Sequence, residues 1–199
     1  RYMKDDPQNN IRVIPPLLRK EVTLHEPYSG DYIHGYMVNA GFSENVMKWH
    51  RQHPGIPLRF FWDKWEEEPV KRVDNTLSFY QLDDVEFLRQ MAGCKAYAST
   101  AGFESVCEAM YLGKPILMVP AHIEQDCNAY DAEKSGAGII SSDFNLQQLL
   151  EFAKDYHPNR DFVYWVRGAE YTLLNLLESD SSNYQQVLFN EMYLVEEFI

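Results

Sequence analysis

Residues 100–108, Thr-Ala-Gly-Phe-Glu-Ser-Val-Cys-Glu, combine groups that can hold a phosphorylated ligand. Gly102 has no Cβ, so a ligand can approach the backbone, or the turn can take a positive φ. A helix opening at Phe103 presents free N–H groups and a partial positive charge, which suit a phosphate or pyrophosphate. Ser105 adds a hydroxyl donor. Glu108, one turn further on, can accept two hydrogen bonds from a cis-diol such as a ribose. Twenty-two residues beyond Gly102 the chain offers Glu124-Gln125, a carboxylate beside a carboxamide. That pair suits sugar hydroxyls, because one member only accepts while the other donates and accepts. A plainer reading stays open for both segments: a tight turn followed by solvated carboxylates, and an acidic first turn that favours the helix dipole.

The elements that must carry these groups follow from periodicity. Residues 31–42 read as a strand ending at Gly41, followed by a helix over 43–53 with Ser43 as its N-cap. Strands are expected at 56–63, 76–82, 95–99, 115–120 and 137–141. Helices are expected at 83–94, 103–112, 124–136, 145–156 and 160–179. Phe103, Val106, Cys107, Met110 and Tyr111 form the docking stripe of the 103–112 helix, with Glu108 off it. Residues 66–72, Glu-Glu-Glu-Pro-Val-Lys-Arg, read as a charged, solvated loop. Pro15-Pro16 exclude a regular helix from the opening segment.

Strands alternating with helices through short connections predict an α/β fold: a Rossmann-like parallel sheet of about six strands with helices on both faces. Ligands in such sheets sit at the carboxyl ends of the strands, at the switch in strand order. The loops to inspect are therefore Asn39–Ser43, Gln81–Asp83, Thr100–Ser105 and Ala121–Gln125.

The two polar segments together resemble the donor-binding, C-terminal half of a GT-B glycosyltransferase of the MurG-like and UDP-glycosyltransferase-like branches. The shared order is Gly102-x-x-Ser105, Glu108-Ala109, Gly113-Lys114-Pro115, Val119-Pro120, Glu124-Gln125 and Asn128-Ala129, then Glu133-Lys-Ser-Gly-Ala-Gly-Ile139. With residues 13–22, similar to the linker entering that half, the likeness covers about residues 11–175. It implies 1–25 as a lead-in from a preceding domain, 26–178 as the nucleotide-sugar-binding domain, and 179–199 as a tail that packs on the other half.

The resemblance also implies roles. Gly41 and Phe42 with Thr100, Ala101, Gly102, Phe103 and Ser105 would hold the diphosphate. Glu108 would bind the ribose, Gln81-Leu82 would meet the nucleobase edge through their backbone, and Glu124 and Gln125 would hold the donor sugar. The implied reaction is transfer of a hexosyl or N-acetylhexosaminyl group from a nucleotide sugar, foremost a UDP-sugar, to an acceptor hydroxyl. No cofactor or metal is expected. The acceptor site and catalytic base are expected on an N-terminal domain or separate subunit. Two positions depart from the pattern: Thr100 stands where many relatives carry His, so a cationic phosphate contact is missing, and Glu104 must turn away from a diphosphate. A subunit of a split two-chain enzyme, a sugar-nucleotide epimerase and a non-catalytic nucleotide-binding module remain as alternatives.

The totals bound the rest. The 199 residues carry a net charge of −12, which argues against nucleic acid as a partner. Cys94, Cys107 and Cys127 form no C-x-x-C pair and read as free thiols. The six histidines lack metal-ligand spacing; His122 lies nearest the cleft and reads as structural or solvated. With no signal peptide and no spanning apolar run, the expected location is the cytoplasm, with peripheral association at the inner face of a membrane open to the full enzyme. The first residue, Arg1, suggests a fragment of a longer chain.

Overall fold

The computed structural model describes residues 4–64 and 68–178. Seven strands form one sheet in the order β3-β4-β2-β1-β5-β6-β7. They are β1 (Ile33–Met37), β2 (Leu58–Trp62), β3 (Val70–Arg72), β4 (Leu77–Gln81), β5 (Ala96–Ser99), β6 (Ile116–Met118) and β7 (Gly138–Ile140). All pairings are parallel except β3 with β4. Without β3, the order is that of a doubly wound nucleotide-binding sheet, with its switch between β1 and β5.

The expected α/β architecture holds, with local corrections. The segment read as a charged loop contributes β3, an antiparallel edge strand whose residues are all exposed. It pairs through backbone groups, so no apolar alternation announces it. The first strand stops at Met37, and residues Ala40–Phe42 form a 3₁₀ turn instead. Asn39 caps that turn by accepting from the Gly41 N–H at 2.8 Å. Ser43 is then the buried first residue of α1 (Ser43–Gln52), not its cap; Phe42 holds the cap position with no side-chain hydrogen bond.

The remaining helices are α2 (Asp84–Gly93), α3 (Phe103–Tyr111), α4 (Ile123–Lys134), α5 (Leu146–Phe152) and α6 (Arg160–Arg167). The helix expected over 160–179 is broken at Gly168 and resumes at 169–178. Strand side chains alternate between two cores, as a sheet covered on both faces requires. One core joins Phe61, Tyr97, Ile116 and Met118 to α2, α3, α4 and α6. The other joins Met37, Phe60, Ala98 and Leu117 to α1 and α5. Gly35 in β1 is required by close approach: a Cβ there would lie 2.2 Å from the Phe60 ring.

The lead-in is part of this body. Val22 is buried in the first core, and backbone bonds run from Tyr28 N–H to the Ala92 carbonyl and from Gly30 N–H to the Gly93 carbonyl. The Lys114 ammonium donates to the Tyr28 and Cys94 carbonyls at 2.7 and 2.9 Å, pinning the lead-in beneath the sheet. The tail 179–199 lies outside the described residues. Among the described residues, no helix is long and apolar enough to cross a membrane.

Candidate functional site

At the carboxyl ends of the strands, next to the β1–β5 switch, lies a cavity of about 370 Å³. Tyr36 at the end of β1 and Leu82 after β4 line it, with Gly102, Phe103, Glu104, Ser105 and Glu108 of the β5–α3 segment, Glu124 of α4, and Arg19, Asp84 and Phe87. A larger cavity of about 670 Å³ sits on the outer side of α3 against α4, α6 and the lead-in. Its walls are dominated by apolar side chains such as Ile14, Met110 and Trp165, so the smaller, polar cavity is the better fit to a sugar or a phosphate.

The turn that enters the cavity contains a strained residue, and of the two uses open to Gly102 a positive φ is not the one it takes. Gly102 has ordinary extended angles, φ −62° and ψ 136°. The left-handed residue is the buried Ala101, at φ 61°. For an alanine that conformation costs about 1–2 kcal/mol. Neighbours hold it there: the Ser99 Oγ accepts from the Ala101 N–H at 3.0 Å, and Asn128 Nδ2 donates to the Ala101 carbonyl at 3.2 Å. A Cβ at Gly102 would meet only the Ser105 Oγ, at 3.8 Å. Glycine is therefore required by neither backbone nor packing there, which leaves access to the backbone as its use. No side chain caps α3, so its first-turn N–H groups remain available at the cavity wall.

Glu108 is the central group. It is 1% exposed, although its position lies off the apolar stripe. Arg19, from the lead-in, supplies its counter-charge: Nε donates to Oε1 at 2.6 Å and Nη2 to Oε2 at 2.8 Å. Arg19 Nη1 also donates to Asp84 Oδ1 at 3.1 Å. Hydrogen bonding to Glu108 holds the guanidinium further above its ordinary range. The charges of Glu108, Asp84 and Glu104 add to this, and partial burial opposes it. Arg19 is the only cation among the described residues lining the cavity.

The other expected site residues are distributed unevenly. Thr100 is buried and its hydroxyl accepts from the Val38 N–H at 3.4 Å, so it ties the β5 turn to the loop after β1. The Ser105 hydroxyl donates to the Gly102 carbonyl at 3.1 Å. Glu124 is exposed on the rim and accepts from Asn128 at 3.2 Å. Gln125 is buried with its Oε1 accepting from the Ala121 N–H at 2.8 Å; it shapes the loop and does not line the cavity. Gly41 is exposed and Phe42 packs edge-on against Phe144, so neither reaches the cavity wall. The Gln81 N–H donates to the Pro69 carbonyl at 2.9 Å and Gln81 does not line the cavity, whereas Leu82 does.

Beneath the cavity, His34 stacks on Tyr97 and meets Phe87 edge-on. Burial lowers its pKa to about 3, with a backbone contact at Arg59 opposing. Cys94 and Cys107 are buried free thiols, both raised to about 12 by burial, and Cys127 is an exposed free thiol. Among the described residues, no three His, Cys, Asp or Glu side chains group as metal ligands.

Sequence reasoning missed Arg19, Tyr36, Asp84 and Phe87. Each carries no spacing signal toward residues 100–108; Arg19 lies 89 positions from Glu108.

Comparisons with known proteins agree with this architecture. The chain is 26% identical over 105 residues to a putative UDP-glucuronosyltransferase of Caenorhabditis elegans, covering 52% of this chain and 20% of that protein. In fold it is similar to the glycotransferase of kitacinnamycin, with a TM-score of 0.58, 13% identity, and coverage of 77% of this chain and 44% of that one. It is also similar to the spinosyn rhamnosyltransferase SpnG complexed with thymidine diphosphate, at a TM-score of 0.56 and 13% identity over 75% of this chain and 46% of that one. The chain thus spans a fifth of the length of the curated relative and less than half of these structures. A model for glycosyl transferase family 1 matches residues 3–156, which contain the whole sheet and every residue lining the polar cavity, and the chain belongs to that family.

Proposed function

We propose that this chain is the donor-binding part of a glycosyltransferase, holding a nucleotide sugar for transfer of its hexosyl or N-acetylhexosaminyl group to an acceptor hydroxyl. The observation that carries this is the placement of Gly102, Ser105, Glu108 and Glu124 around one cavity at the β1–β5 switch. The diphosphate lies against Gly102 and the uncapped first turn of α3, where N–H groups and the helix dipole offset its charge. A ribose hydroxyl donates to a lone pair of Glu108 that Arg19 does not use, the base lies by Leu82, and the sugar reaches Glu124. A UDP-sugar is the donor proposed, because the relative is a putative UDP-glucuronosyltransferase.

The lining carries four carboxylates, Asp84, Glu104, Glu108 and Glu124, against one cation, Arg19. A leaving diphosphate therefore needs further positive charge. We assign that charge, the acceptor site and the base to a second unit facing the cavity, on the same chain or a partner.

Calorimetry with UDP, GDP, dTDP and CDP tests the proposal on the wild type and Glu108→Gln. One nucleotide should bind the wild type and stabilise it by about 2.7 kcal/mol at a hundred times its dissociation constant. Glu108→Gln should weaken that binding about tenfold. Absence of binding by all four would overturn the assignment.

A further inference from the structure

At the amino ends of β5 and β6, on the edge of the sheet opposite the donor cavity, lies a second polar cavity of about 440 Å³. Its walls come from the lead-in at 27–29, the turn after α3 and the segment joining α5 to α6. We propose that it is a binding site for a small aromatic carboxylate, held by the buried Lys114 ammonium. The proposal stands independently of the donor-binding reading.

Charge is the first argument. The chain carries a net charge of −12, and carboxylates line both the donor cavity and the apolar cavity beside α3. This cavity is lined by Lys95 and Lys114 and, among the described residues, by no Asp or Glu. Lys114 is 4% exposed, and its Nζ donates to the Tyr28 and Cys94 carbonyls at 2.7 and 2.9 Å. All three residues line the cavity, which puts the ammonium at its wall. An ammonium has three donors, and two of them are used here. The two acceptors are neutral carbonyls, so the buried charge has no counter-ion among the described residues. Burial accordingly lowers its pKa. A ligand carboxylate supplies both the third acceptor and the counter-charge. A carboxylate matches the one buried cation better than a phosphate dianion, because Lys95 is exposed and keeps its charge in water.

The rest of the wall is compatible with such a ligand. The C-terminal end of α3 lies here, and free carbonyls there would repel an anion. Those of Glu108, Ala109 and Met110 instead accept from the Leu112, Lys114 and Gly113 N–H groups, a closure that Gly113 permits at φ 67°. Pro115, Pro158, Val163 and Tyr156 supply apolar surface for an aromatic ring. Burial pushes the Tyr156 hydroxyl up to about 12, so it stays neutral and able to donate. The volume falls within the range of about 300–1,000 Å³ usual for small-molecule sites. An occupant would bridge the lead-in and the α5–α6 segment.

The test titrates the whole chain with 2-naphthoate and with its neutral isostere, 2-naphthamide, by calorimetry. The wild type should bind the naphthoate about tenfold more tightly, the scale of one hydrogen bond to a charged group. In Lys114→Met, with folding checked by circular dichroism, that preference should fall to about twofold or less. A second measurement needs no variant. Residues 27–29 form one wall, so naphthoate at ten times its dissociation constant should slow proteolytic cleavage near residues 25–30 about tenfold. A wild type that binds neither compound, or both alike, would overturn the site. So would naphthoate binding that leaves this cleavage unchanged, or an undiminished preference in folded Lys114→Met.

Discussion

Arg19 and Glu108 form a two-pronged ion pair, at 2.6 and 2.8 Å, between a side chain that is 32% exposed and one that is 1% exposed. The asymmetry matters more than the attraction. A buried ion pair is weak evidence for net stability, but removing one partner strands the other's charge. Arg19→Ala is therefore expected to destabilise the chain by about 3 kcal/mol. Asp84→Ala, which removes an exposed contact to the same guanidinium, should change stability by no more than about 0.5 kcal/mol. Urea unfolding of both variants checks the contrast; equal losses would mean that Glu108 does not depend on Arg19.

Gly102 separates folding from binding. Its φ of −62° suits alanine, and the space for a Cβ is open to 3.8 Å. Gly102→Ala should be as stable as the wild type, or more stable by about 0.4–1 kcal/mol through the unfolded chain. On the donor-binding proposal its nucleotide affinity should nevertheless fall about tenfold, because the added methyl would stand where the diphosphate is proposed to lie. Thermal unfolding and calorimetry on one preparation read both effects, and an unchanged affinity would remove Gly102 from the site.

His34 makes the fold acid-sensitive. Burial depresses its folded pKa to about 3, below the unfolded value of about 6.5, so the unfolded chain binds the proton first. The contribution is fully present above pH 6.5 and is lost as pH falls toward 3, at about 1.4 kcal/mol per pH unit. His34→Phe keeps an aromatic ring against Tyr97 and Phe87 and should flatten stability across that window. Denaturant midpoints from pH 7 to pH 4 are the measurement. Parallel curves for the two proteins would assign the acid-sensitivity elsewhere.

Lys114 holds the lead-in from below. Its ammonium is buried and bonded to the Tyr28 and Cys94 carbonyls, and burial lowers its pKa. Lys114→Met keeps the stem and removes both bonds, with an expected loss of about 2 kcal/mol. Limited proteolysis should then cut near residues 25–30 sooner than in the wild type. Unchanged stability would show that the Pro15–Pro16 segment and Val22 hold the lead-in unaided.

Much of this protein was legible in order along the chain. The short apolar runs at Leu58–Trp62 and Ala96–Ser99 and the helical stripe on α3 predicted the alternating elements. The helix expected over 83–94 is present as Asp84–Gly93, with Asp83 just before it accepting from the Glu86 N–H at 2.8 Å. The local order from Gly102 to Asn128 also placed the polar turn and the Glu124 loop at one edge of the sheet. These features depend on periodicity and on hydrogen bonds between near neighbours, which a single sequence displays.

The tertiary structure decided the rest. Val70–Arg72 became a strand only because β4 presented an unpaired backbone edge, which the exposed side chains of β3 do not reveal. The positive φ of the turn falls at Ala101 and not at Gly102, because Ser99 and Asn128 hold Ala101 from two sides. Glu108 looked like a solvated carboxylate with free acceptors, and folding buried it against Arg19. The last two depend on groups brought together across tens of residues, and the first on a neighbouring strand's backbone. Neither leaves a periodic mark in the sequence, so folding alone determined that Glu108 is buried and that its partner is Arg19.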